Sequence, residues 1–291
     1  MIAQWNETMG LEGRILFACG ADGLVQAVVC SAQAQAHLAL QGGHLIAFRP
    51  SGEEELLWMS PDANFARGKS LRGGIPVCWP WFGPHPDDAT QPAHGIARTM
   101  PWLPQQSFLL ENGAIRLHLT LIDGWPGLDA ELIFTVGETL EIALITTNKG
   151  TQAVTLTQAL HSYFSVGDVR QVSLNGLDGC DYLDKVNGGV RQRQQGAITI
   201  NSEVDRIYLQ SPPSLQLHDP VLQRTIHITS AGSGSSVVWN PWIEKSEQMG
   251  DMGHEGYLHM LCVETTNADE DAIELAAGAS HRIEVQYRIA H

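Results

Sequence analysis

Between residues 72 and 98 the chain concentrates groups able to grip an anion and to cover a ring. The run Arg72-Gly73-Gly74-Ile75-Pro76-Val77-Cys78-Trp79-Pro80-Trp81-Phe82-Gly83-Pro84-His85 opens on a guanidinium, and His94-Gly95-Ile96-Ala97-Arg98 closes on another. Gly73 and Gly74 let backbone approach closely, and Pro76, Pro80 and Pro84 stiffen the segment. Two arginines on a rigid loop can hold a phosphate through bidentate, charge-assisted hydrogen bonds. The neighbouring rings offer broad apolar faces on which a sugar could stack. On spacing alone a plainer reading stays open, in which Arg72 and Arg98 only cap exposed strand ends.

Other motifs carry less. Gly68-Lys69-Ser70 resembles the end of a nucleotide-phosphate loop, but the glycine required five positions earlier is Ala63. Gly232-Ser233-Gly234-Ser235-Ser236 lacks the third glycine of a dinucleotide loop and reads as a turn. His254 and His259 are five apart, not the four that would put two metal ligands on one helical face. The five cysteines (Cys19, Cys30, Cys78, Cys180, Cys262) are scattered and form no C-x-x-C, which suits reduced thiols.

The elements that must position these groups are strands. Ile115 to Leu121 and Arg282 to Ile289 alternate apolar and polar residues, the period that sends one set to a core. Runs of similar size lie at 131–136, 140–147, 153–160, 197–201, 205–210, 214–219, 224–230, 235–239 and 260–266. Turn residues punctuate them, which predicts an all-β fold of antiparallel sheets packed face to face. No linker divides the 291 residues, so one domain over 1–291 is expected, with Pro76–Pro104 an ordered loop against a sheet.

With 17 basic against 32 acidic side chains, the net charge of −15 argues against nucleic-acid and membrane-surface partners. Met1 to Glu7 does not read as a secretion signal and no apolar run is long enough to span a bilayer, so a cytoplasmic monomer is the expectation.

The stretch from Arg72 to His85 resembles the signature of the hexose-6-phosphate mutarotases, a branch of the aldose 1-epimerases. Further blocks extend the resemblance: Gln158 to Asp168 around His161, Glu203 to Tyr208, Trp239 to Lys245 and Met260 to Ala268. It implies a galactose-mutarotase-like β-supersandwich and an isomerase of hexose 6-phosphate anomers. It also implies that His161 and Glu264 form the catalytic pair, that Arg72 and Arg98 bind phosphate, and that His94 and Asp205 contact the sugar. No metal and no organic cofactor are called for. Some members carry Gln where this chain has Ala93, so Gln91 is a candidate substitute.

Two rival readings remain: an epimerase of unphosphorylated aldoses, and a non-catalytic carbohydrate-binding β-sandwich. From the residues alone, a His at the end of an apolar strand, as His161 is, is more often a satisfied core histidine. Glu264 shares an alternation face with Met260 and Cys262, which points to partial burial and a raised pKa. Nothing in the spacing brings the two together.

Overall fold

The computed structural model describes residues 1–20 and 23–291. Where apolar residues alternate, the chain forms strands that bury the apolar set. In Ile115–Leu121, Ile115, Leu117, Leu119 and Leu121 are buried while Arg116, His118 and Thr120 stay half-exposed. Two eight-stranded antiparallel sheets result. One runs in the order Ser173–Asn175, Ser214–Asp219, Arg224–Ala231, Ser280–Ala290, Leu140–Asn148, Leu128–Val136, Ile115–Leu121, Trp102–Leu109. The other runs Val190–Arg193, Asp181–Asp184, Val204–Leu209, Ser235–Asn240, Met260–Asn267, Gln158–Leu160, Val77–Cys78, and Tyr163–Ser165 also pairs with Met260–Asn267.

One apolar cluster joins the sheets, with Leu132, Leu144, Ile226 and Ile283 from the first and Leu160, Leu261 and Val263 from the second. Each fully buried side chain of this kind contributes roughly 1.5–3 kcal/mol, so this shared layer holds the sheets face to face. The all-β expectation is met.

The strand Met260–Asn267 matters most for function. All of its residues are buried, yet alternation still sorts them. Leu261 and Val263 enter the layer between the sheets. Met260 and Cys262 face the other way, into a second cluster with Trp58, Tyr163, Ile207, Leu209, Val237 and Trp239. Glu264 shares their parity.

Several details differ from the sequence expectation. The run 197–201 is not a strand; Ile198 and Ile200 are buried, but only a single bridge, Leu174 to Ile198, forms. The run 153–160 breaks at Thr157, so Val154–Leu156 pairs with Ile273–Leu275 while Gln158–Leu160 joins the second large sheet. A short helix, Trp242–Gln248, follows Pro241, whose fixed φ suits a helix start. Four N-terminal strands, Ile15–Cys19, Val25–Cys30, Ala34–Ala39 and His44–Pro50, form their own antiparallel sheet. The 76–104 segment is ordered as expected: Val77–Cys78 pairs with Gln158–Leu160, and the buried Trp79 donates from Nε1 to Thr146 Oγ1 at 2.9 Å.

Candidate active site

The register of the second large sheet builds the site. Leu160 is opposite Thr265, and Tyr163 is opposite Cys262. Counting inward from either pair places His161 directly opposite Glu264, and their side chains meet with Nε2 to Oε1 at 3.3 Å. The next two strands extend the rows, for Glu264 is opposite Val237 and Val237 opposite Ile207. The adjacent row, on the same face, is Tyr163, Cys262, Trp239 and Asp205. Three chain segments far apart in sequence thus present His161 and Tyr163, Glu264, and Asp205 on one face.

The His161–Glu264 pair lies deep. The Glu264 side chain is 1% exposed and that of His161 12%. Glu264 Oε2 and His161 Nδ1 are both buried without a hydrogen-bond partner. A buried polar atom with nothing to bond is costly, so both atoms are available to bond a ligand or water that enters the site. Burial pushes the Glu264 carboxyl well above its ordinary range, with Asp205 adding to the rise and Arg98 opposing it. Burial likewise drives His161 well down, helped by His94, Arg98 and Arg72. Both groups are pressed toward their neutral forms.

His94 stands beside this pair, its ring centroid 6.0 Å from that of His161. Its backbone sits at φ 64, a left-handed conformation uncommon for a side-chain-bearing residue. The Gly83 N–H donates to His94 Nδ1 at 3.3 Å, which leaves the proton of the neutral ring on Nε2. Burial first, then Arg98 and Arg72, lower the His94 pKa to about 4.

The rim carries fixed charge. Arg72 donates from Nη1 to the Tyr163 hydroxyl at 3.0 Å and from Nε to Asp251 Oδ1 at 3.2 Å. Arg98 donates from Nη2 to the Ala93 carbonyl at 2.6 Å, and its buried Nε has no partner. Lys245 lies 2.7 Å from Glu203 and 3.9 Å from Asp205. Burial raises the Asp205 pKa, opposed by Lys245 and Lys185.

All six expected residues therefore belong to one neighbourhood, though Arg72 and Arg98 are held by different partners. Gln91 donates to Asp88 at 3.2 Å and is tied into its own turn. Sequence reasoning passed over Tyr163, Asp251 and Lys245 as site residues. Tyr163 was legible, since i and i+2 of a strand share a face; Asp251 carries no sequence signal. Burial pushes the Cys78 thiol up to about 12 and raises Cys262 too, which removes both as thiolate nucleophiles. Among the described residues no cluster of His, Cys, Asp and Glu is arranged to hold a metal ion, and no helix is long and apolar enough to cross a membrane.

The aldose 1-epimerase family matches residues 27–288. A Salmonella typhimurium protein named "Putative glucose-6-phosphate 1-epimerase" is 40% identical over 255 residues, 85% of this chain and 84% of that one. An Escherichia coli protein of the same name is 40% identical over 251 residues, 84% and 83% of the two chains. Among solved structures, a Salmonella typhimurium protein described as "a putative mutarotase" superposes with a TM-score of 0.89 at 35% identity, covering 97% of this chain and 95% of that one. A galactose mutarotase-like protein of Lactobacillus casei, 13% identical, shares the fold at a TM-score of 0.69 over 91% of this chain and 100% of its own.

Proposed function

The chain belongs to the aldose 1-epimerase family, and from that premise we propose that it equilibrates the α and β anomers of a hexose 6-phosphate, with His161 and Glu264 as acid and base. One observation carries the reading: an imidazole and a carboxyl, both buried and both with unpartnered atoms, lie 3.3 Å apart. The chemistry needs that closeness. The two oxygens that exchange protons during ring opening, the C1 hydroxyl and the ring oxygen, are bonded to the same carbon, so acid and base must be near neighbours.

Burial favours the neutral pair, so the productive form, imidazolium His161 with carboxylate Glu264, is the minor one, reached by moving one proton from Glu264 to His161 across their 3.3 Å contact. Glu264 takes the C1 hydroxyl proton while His161 gives its own to the ring oxygen. The bond from C1 to the ring oxygen breaks and C1 becomes a carbonyl. Rotation about C1–C2 followed by closure, with the roles reversed, yields the other anomer. A buried acid that holds its proton weakly and a buried base that holds one tightly both favour the opening step. Each contributes roughly 10²–10⁴-fold over water. In this reading His94 Nε2–H and Asp205 bind sugar hydroxyls, and Arg72 and Arg98 supply the cations for phosphate. The printed names of the two bacterial relatives support the phosphorylated substrate.

The unphosphorylated rival has one observation in its favour, because Asp251 already neutralises Arg72. Magnetisation-transfer NMR of anomer exchange in glucose 6-phosphate and in glucose separates the two. The proposal expects much the larger kcat/KM for the phosphosugar. Equal values would favour the unphosphorylated substrate, and no acceleration over buffer for either sugar would overturn the assignment. Cytoplasmic location and a monomeric state complete the reading; the acidic charge suits both.

A further inference from the structure

We propose that Tyr163 is a positioning residue for both ends of the substrate, its hydroxyl fixing the Arg72 guanidinium and its ring fixing the His161 imidazole. The hydroxyl half rests on the reading of Arg72 as a phosphate-binding group.

Tyr163 is built as a rigid post. It is 2% exposed and stacks with His161 at 4.8 Å and 10° and with Trp58 at 5.9 Å and 22°. Trp239 meets it edge-on at 6.0 Å. Its N–H donates to the Gly74 carbonyl at 2.9 Å, and its own carbonyl accepts from Trp58 N–H at 2.9 Å. Two residues earlier, His161 N–H donates to the Pro76 carbonyl at 3.0 Å, so 161–163 is laddered onto the segment that follows Arg72. On its other side Gly74 lies so close to the strand His44–Pro50 that a Cβ there would meet the Leu45 carbonyl oxygen at 2.3 Å.

Arginine is long and flexible, and an unheld guanidinium surrenders conformational entropy on binding an anion. The Tyr163 hydroxyl and Asp251 engage Nη1 and Nε, which presets the fork and leaves Nη2 for a ligand. Asp251 is the softer anchor, with its side chain 38% exposed. The aromatic ring bearing that hydroxyl lies against the imidazole. One rigid side chain therefore sets the span between anion grip and proton donor. In a hexose 6-phosphate the ring and the short C5–C6–O6 arm bound the span from phosphate to C1, so a preset distance rewards that substrate class and gives nothing to a free sugar.

The test compares Tyr163→Phe, Tyr163→Leu and Arg72→Ala with the unaltered enzyme in anomer exchange of glucose 6-phosphate and glucose. Tyr163→Phe removes the hydroxyl and keeps the ring; it should lower kcat/KM for glucose 6-phosphate about tenfold more than for glucose, as expected for a hydrogen bond to a charged group. Tyr163→Leu removes the ring as well; it should lower kcat on both sugars at least about tenfold and move the acid limb of the kcat profile upward, because the imidazole loses its cover. A Tyr163→Phe enzyme with the original sugar preference, alongside an Arg72→Ala enzyme that has lost it, overturns the role of Tyr163 and leaves the phosphate reading standing. An Arg72→Ala enzyme that keeps the preference overturns the phosphate reading itself. If Tyr163→Leu fails to fold, Tyr163→Phe still decides the hydroxyl's part.

Discussion

On the floor of the site, Glu264 and His161 are buried, touch each other at 3.3 Å and keep one unpartnered atom each. On the rim, Arg72 and Lys245 are part-exposed and bridged to Asp251 and to Glu203. The floor strips away water and partners, so proton affinities move. The rim keeps both, so charges stay fixed but are worth less. On the proposed function, proton transfer uses the first condition and recognition the second: the floor residues stand on the sheet, while Arg72 lies outside its strands and Lys245 on the helix Trp242–Gln248.

That contrast breaks most visibly under substitution. Glu264→Gln or His161→Ala should slow anomer exchange at saturation by roughly 10²–10⁴-fold. Arg72→Ala should act through KM for the phosphosugar, by roughly tenfold to a hundredfold, with kcat changed far less. The same NMR exchange assay at several substrate concentrations separates the two. Equal kcat losses at floor and rim would dissolve the distinction.

A smaller effect concerns pH and stability. Burial pushes the His44 pKa down to about 4, against 6.5 in an unfolded chain. Between those values the unfolded chain binds a proton that the fold refuses. The contribution of His44 is therefore whole above pH 6.5 and drains away as pH falls toward 4, on the order of 3 kcal/mol at the limit. Glu264 has the opposite sign: its pKa is raised, so its contribution is whole below 4.5 and is lost as pH rises. Comparison with His44→Gln isolates the histidine. Calorimetry from pH 7.5 to 4.5 should show a shallower fall of Tm in the variant, and parallel curves would count against a buried neutral His44.

The smallest expected effect lies on the rim. Lys245→Ala removes a part-exposed ion pair with Glu203 and should cost under about 1 kcal/mol in denaturant unfolding. A loss of several kcal/mol would mean that the rim is held as tightly as the floor.

The sequence made some of this legible. Alternation alone put Glu264 on the face of Met260 and Cys262, and that is where it lies. The meeting of His161 with Glu264 was not readable, because it depends on how Gln158–Leu160 and Tyr163–Ser165 register against a strand a hundred residues away. Spacing along the chain has no knowledge of register. Resemblance supplied the pairing, and the ladder supplies its cause. The run 153–160 looked continuous because apolar Val154, Leu156, Ala159 and Leu160 recur along it, but Thr157 Oγ1 accepts the Phe82 N–H at 2.9 Å where the chain changes partners. In Ile15–Cys19 the second position, Leu16, is 53% exposed, so a strand of apolar residues hid its own alternation.

The most direct test of the acid–base claim is a double-mutant cycle on kcat for glucose 6-phosphate anomer exchange, with His161→Ala, Glu264→Gln and both together. Groups that pass protons to and from one carbon act as a unit, so the double variant should be little slower than the slower single one. Losses that simply multiply, or either single variant at full rate, would contradict the account.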